Sequence, residues 1–158
     1  MKKTLFLLIP LLLLLLVFCS TNKRNPNLYL IPNNYVGWVQ IIYNQEGFKA
    51  IEQDNGRNIF TIPESGVLKT STPDVEYGIS FEEFYYYDEQ NKQQKLDTDQ
   101  MIHRHTIGNG ESVSNSGKIE GPTVQRFFVG TEAELQNHPA PDYPVELMKP
   151  TSSNGERP

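Results

Sequence analysis

Tyr35-Val36-Gly37-Trp38-Val39-Gln40-Ile41-Ile42-Tyr43 is the stretch on which the fold turns. Alternate residues of an extended chain point to opposite sides. Tyr35, Gly37, Val39, Ile41 and Tyr43 therefore share one face, and Val36, Trp38, Gln40 and Ile42 the other. Both faces are largely apolar, which predicts a central strand rather than an edge strand. Just upstream, Leu28-Tyr29-Leu30-Ile31-Pro32 opens the ordered region and Asn33-Asn34 turns the chain. Downstream, Asn55-Gly56 is a turn signal, because both residues tolerate positive φ. It leads into a strand over Arg57–Ile62 that Pro63 ends, and Ser65-Gly66 turns the chain into Val67–Thr70.

The pattern resumes after Pro73. Tyr77–Phe81 and Phe84–Tyr87 are aromatic-rich strands, and Glu89-Gln90-Asn91-Lys92 is a hairpin turn into Gln93–Leu96. Met101–Ile107 and Thr123–Val129 are the remaining strands, and Gly108–Gly117, rich in glycine and serine, reads as a flexible loop. Thr131 followed by Glu134 forms a capping box for one short helix over Thr131–Asn137. About seven or eight short strands, with turns roughly every 8–12 residues, predict an all-β chain. The expected fold is a single antiparallel β-sandwich, Ig-like or transthyretin-like, over residues 28–138, with that helix near its C-terminus. The tail from Pro139 to Pro158 holds repeated prolines and is expected to be extended or disordered.

The N-terminus carries a different signal. Lys2 and Lys3 precede an unbroken apolar run from Leu5 to Phe18, which ends at Cys19, the single cysteine of the chain. Fourteen residues of helix reach about 21 Å, short of the roughly 30 Å hydrocarbon core of a bilayer. Residues 1–18 are thus read as an export signal rather than a spanning helix. Leu16-Val17-Phe18-Cys19 resembles the lipobox of bacterial lipoproteins, in which the cysteine takes a diacylglycerol and becomes the new N-terminus. That pattern places a small residue before the cysteine, where this chain has Phe18. A lone thiol in an exported protein has no disulfide partner, which agrees with acylation of Cys19. Residues 19–27, polar and with Pro26, then form a lipidated tether.

The whole chain has 14 basic and 19 acidic side chains. Two of the basic ones lie in the leader, which leaves 12 against 19 after it and a net charge of −7. Such a surface excludes nucleic acid as a partner and disfavours anionic lipid. The partners expected are the membrane, through the lipid on Cys19, and an envelope protein or glycan. The location expected is exported and lipid-anchored, at the cell membrane or the outer membrane.

Tyr29-Leu30-Ile31-Pro32, Tyr35-Val36-Gly37-Trp38-Val39, Ile62-Pro63-Glu64-Ser65-Gly66-Val67-Leu68-Lys69-Thr70-Ser71 and Phe127-Phe128-Val129-Gly130-Thr131 together resemble an uncharacterised domain family of small bacterial lipoproteins and exported proteins. The likeness covers roughly Leu28 to Leu135 and implies no activity. The Gly-x-Val-x-Ile strand and the Ile-Pro-x-x-Gly turn are also similar to transthyretin-like and carboxypeptidase-regulatory-like sandwiches, a fold-level analogy only.

Two constellations are candidates for function. His103 and His105, two apart on one strand, are expected to face the same side, where they could share a zinc or copper ion with Asp99 or Asp97 as an oxygen donor. The competing reading is a solvated strand face beside a turn at Asp97–Asp99. Tyr85, Tyr87 and Trp38 could form a stacking surface for a sugar ring or a protein partner. The competing reading is core packing. No catalytic set is legible: Ser65 and Ser80 have no neighbouring His and acid, and no phosphate-binding glycine motif occurs. No cofactor is implied. The expected function is a non-catalytic binding or structural role at the cell envelope.

Overall fold

The computed structural model describes residues 23–150 apart from 89, 91, 115 and 116. The leader 1–18, Cys19, the first part of the tether and the tail end 151–158 lie outside the described residues. Among the described residues, ten strands form two facing sheets. They are β1 (Asn27–Pro32), β2 (Gly37–Ile42), β3 (Glu52–Asp54), β4 (Arg57–Thr61), β5 (Val67–Lys69), β6 (Glu82–Tyr87), β7 (Gln93–Lys95), β8 (Ile102–Ser114), β9 (Gly117–Val129) and β10 (Lys149–Pro150). The first sheet runs β3-β4-β1-β6-β7, and the second runs β10-β9-β2-β5 with β8 paired to β9. The all-β sandwich is as the sequence predicts, and β2 is central, flanked by β9 and β5.

The sheets are mixed, where the sequence led us to expect antiparallel ones. β1 pairs parallel with both β4 and β6, and β2 pairs parallel with β5. The cause lies in the connections. Asn33-Asn34 and Pro63–Gly66 do not close hairpins; each carries the chain from the first sheet into the second. Successive strands of one sheet then return in the same direction, as a crossover requires. Asn55-Gly56 is the turn the sequence promised: φ is 48° and 73° at the two residues, and β3 and β4 pair antiparallel across it. β6 and β7 also pair antiparallel, with Glu89 and Asn91 of their turn outside the described residues.

The core fills the space between the sheets. Tyr29, Ile31, Phe60, Ile62 and Phe84 come from the first sheet side, and Val39, Ile41, Tyr43, Phe127 and Val129 from the second. Register places Phe60, Tyr29 and Phe84 side by side on β4, β1 and β6. Their rings stack at 4.8 and 4.6 Å, and Phe127 meets both Tyr29 and Phe84 edge-on at 5.3 Å. Each such side chain contributes about 1.5–3 kcal/mol by leaving water, and the ring geometry adds to that.

The expected loop at Gly108–Gly117 is instead part of a long hairpin. β8 and β9 pair from Ile102↔Val129 to Ser114↔Gly117. Glycine in a strand often marks close approach of another group rather than a break. A Cβ at Gly110 or at Gly121 would collide with the Tyr143 side chain, which lies across the hairpin at that point. The Tyr143 hydroxyl donates to the Pro122 carbonyl at 2.6 Å, and Lys149–Pro150 pairs with Glu120 and Ile119. Residues 139–150 are thus strapped along the second sheet.

Two helical turns flank the hairpin, Thr98–Met101 and Glu132–Leu135. The second carries the predicted capping box: Thr131 Oγ1 accepts from Glu134 N, and Glu134 Oε2 accepts from Thr131 N at 2.7 Å. The first was not anticipated; Asp97 caps it by accepting from Asp99 N.

Candidate functional site

The two histidines decide what β8 can do. A bulge interrupts the strand: His103 stands opposite Phe128 and Thr106 opposite Arg126, so β8 carries one residue more than β9. Arg104 absorbs the irregularity with φ at 53°. Phe127 and Phe128 are consecutive and point to opposite faces. His103 is on the Phe128 side, outside the sandwich, whereas His105 meets Phe127 at 5.5 Å and Tyr29 at 6.5 Å on the inside. The expectation that both imidazoles share a face fails for this reason. His103 Nδ1 lies 3.4 Å from Glu132 and its Nε2 is 3.1 Å from the Gln100 carbonyl. Asp99 serves the helical turn next to its cap, and among the described residues no group of three or more His, Cys, Asp or Glu could hold a metal ion.

His105 instead belongs to a polar network that crosses between the sheets. Its Nε2 is 2.8 Å from Gln125 Nε2, and its Nδ1 is 3.2 Å from Glu82 Oε2. Gln125 is fully buried; it donates to the Tyr29 hydroxyl at 2.6 Å and accepts from the Tyr43 hydroxyl at 2.9 Å. Asn27 donates to the Tyr29 hydroxyl and Asn58 donates to Asn27. Glu82 closes the network with Arg24 at 2.8 Å. Burial pushes the Tyr29 and Tyr43 hydroxyls far above the usual tyrosine range, so both stay neutral. Burial also opposes the charge on Glu82, but His105 and Arg24 together outweigh it and hold that carboxyl below the usual glutamate range. The sequence carried a signal for this network. Gln125 is a polar residue, fully buried, on the face it shares with Phe127 and Val129. Arg24 and Glu82 gave none.

The predicted aromatic surface is divided. Phe84 faces the core and Tyr86 packs against it, so Tyr85 and Tyr87 stand on the outer face of the first sheet. Trp38 alternates with the core residue Val39 and stands on the outer face of the second sheet. The three side chains share no surface. Tyr85 takes the Lys95 ammonium over its ring and borders a recess of about 360 Å³ with Leu30, Ile59 and Arg57. Tyr87 reaches the Ile62 carbonyl at 3.5 Å.

Trp38 borders a larger cleft, about 450 Å³, between the outer face of the second sheet and the Glu132–Leu135 turn. Its indole N–H donates to the His138 carbonyl at 2.9 Å, and its ring meets Phe128 edge-on. Arg104, pushed outward by the bulge, and Arg126 bring two guanidinium groups to the same cleft. Arg126 donates to the Pro141 carbonyl and lies over the Tyr143 ring, while its Nε is buried with no hydrogen-bond partner among the described residues. Neither arginine stood out in the sequence, because the bulge that turns Arg104 outward leaves no composition signal.

No curated protein matches this chain. Among solved structures, the 2.75 Å crystal structure of a candidate lipoprotein from Bacillus anthracis is similar in fold, with a TM-score of 0.58 at 21% identity over 78% of this chain and 88% of that one. A family model matches residues 23–137, which take in β1 to β9 and the turn that bounds the Trp38 cleft. The chain therefore belongs to the family of unknown function DUF6843.

Proposed function

We propose that this chain is an exported lipoprotein, held at a membrane by a lipid on Cys19, that acts by binding and not by catalysis. The observation that carries this reading is the spacing at the N-terminus. The apolar run Leu5–Phe18 ends at Cys19, and the first described residue of the sandwich, Lys23, follows four positions later. No helix among the described residues is long and apolar enough to cross a membrane, so attachment falls to the segment before Lys23. The candidate lipoprotein of similar fold is in keeping with this reading. Mass spectrometry of the full chain expressed in a lipoprotein-processing bacterium tests it. A diacylglyceryl mass on Cys19, with loss of membrane association in Cys19→Ala, is the expected result. An unmodified Cys19 in membrane-bound protein would replace the lipid with an uncleaved signal anchor.

The binding face is the Trp38 cleft, favoured over the Tyr85 recess by one observation. The indole there shares the cleft with two arginines, Arg104 and Arg126, against one carboxylate, Glu132. Indole faces stack on sugar rings and guanidinium forks bind carboxylates, so an acidic envelope glycan fits the chemistry. Titration with an acidic oligosaccharide should change Trp38 fluorescence saturably, and Arg104→Ala should weaken that response. A neutral oligosaccharide that binds equally well would remove the role given to the arginines.

A further inference from the structure

Tyr77, Ile79 and Phe81 are 71%, 69% and 84% exposed, the most exposed run of large apolar side chains on the described surface. Single exposed apolar residues are ordinary, but three within five residues, where the chain bends at Gly78 and bridges at Ile79, form a patch. The segment lies against the first described residues. Lys23 and Ile79 form a parallel bridge, Arg24 N donates to the Ile79 carbonyl, and Asn27 N donates to the Phe81 carbonyl. Four residues of chain, from Cys19 to Lys23, cannot span more than about 14 Å. A lipid on Cys19 would therefore hold Lys23, and with it this segment, within that distance of the bilayer.

We infer that Tyr77, Ile79 and Phe81 are a membrane-docking edge, which inserts into the interface of the bilayer carrying the anchor and fixes which end of the sandwich faces it. The docking requires the lipid anchor proposed above. Aromatic side chains with a polar tip suit the headgroup region, and an apolar contact there adds to an acyl anchor. Charge plays a small part, since Arg24 is committed to Glu82 and the exposed charges nearest the patch, Lys23 and Glu76, are of opposite sign. The Trp38 cleft lies toward the other end. β1 and β6 run in parallel from Asn27 and Glu82 to Pro32 and Tyr87, and Tyr86 reaches Tyr35, three residues before Trp38, with a hydrogen bond to its carbonyl. Docking by this edge would thus turn the cleft away from the bilayer.

Full-length protein purified from membranes, with its Cys19 mass measured, and reconstituted into phosphatidylcholine vesicles tests the inference. Phe81→Trp places a fluorophore in the edge, with Trp38 as the internal reference, and Tyr77→Trp serves as an independent variant. The expected result is that the added fluorescence shifts to shorter wavelength, is lost to brominated acyl chains and does not change in high salt, while Trp38 emission is unaffected. Vesicle-bound, acylated protein whose added tryptophan stays in water overturns the docking edge and leaves the anchor intact. A blue shift without quenching by brominated lipid also overturns it, because another protein surface would then cover the patch. Protein that lacks the acyl mass and fails to float with the vesicles overturns the anchor and the docking edge together.

Discussion

Tyr29 has its ring in one kind of interior and its hydroxyl in another. The ring stacks between Phe60 and Phe84 and meets Phe127 edge-on, with no polar atom involved. The hydroxyl accepts from Gln125 and Asn27, in a network that continues through His105 to Glu82 and Arg24. The aromatic centre joins the sheets by volume and area, which tolerate small shifts of one layer over the other. The polar end joins them by directed hydrogen bonds, which do not. The same two sheets are thus held together in the middle and set in position at the Lys23 end.

The largest effect should come from the centre. Phe127→Ala removes the ring that meets both Tyr29 and Phe84, and should cost about 3–5 kcal/mol of unfolding free energy. Denaturant titration at pH 7 and pH 5 measures it, and the loss should be the same at both, since no titrating group is lost. A loss that depends strongly on pH would mean that the two interiors are coupled. Gln125→Leu keeps the volume but leaves the Tyr29 and Tyr43 hydroxyls without their shared partner. Unmet buried hydroxyls make this cost about 2 kcal/mol despite the apolar replacement. A neutral or stabilising result would show that water enters the network and that Gln125 does not set the sheets.

The two interiors were unequally legible in the sequence. Apolar residues on both faces of Tyr35–Tyr43 identified a central strand, because a strand paired on both edges and covered on both sides has little polar surface to present. Parallel pairing stayed hidden, since the short turns at Asn33-Asn34 and Ser65-Gly66 have the composition of hairpin turns and differ only in which sheet they lead to. The histidines were misplaced because a bulge at Arg104 shifts the alternation by one residue, and any L-residue in that φ region is chosen by tertiary context. Gly110 of the β8–β9 hairpin read as part of a loop because its close neighbour, the Tyr143 ring, comes more than thirty residues later.

That last point is open to test on a smaller scale. Tyr143→Ala should cost about 1.5 kcal/mol, the ordinary loss for a half-buried contact with one hydrogen bond. Gly121→Ala should be costly in the wild-type chain, where its methyl meets the Tyr143 ring, and nearly neutral in Tyr143→Ala. Additive losses in that double-mutant cycle would mean that the strap does not lie in the notch between Gly110 and Gly121.

The smallest change at neutral pH is expected at Glu82, yet it separates the two interiors most clearly. Glu82→Gln keeps the side-chain length and one acceptor oxygen, so about 1 kcal/mol is the expected loss at pH 7. The pH dependence should change more. The folded carboxyl titrates below its ordinary value because His105 and Arg24 outweigh the effect of burial. The unfolded chain therefore takes up a proton at this residue first as the pH falls. The stabilisation from Glu82 is complete above the ordinary glutamate range and is lost as the pH drops through the lower, folded value. Wild-type protein should thus lose more stability between pH 6 and pH 3 than Glu82→Gln does. Parallel pH profiles for the two would show that the carboxylate draws no net stabilisation from its partners, and that shape alone positions the sheets at the Lys23 end.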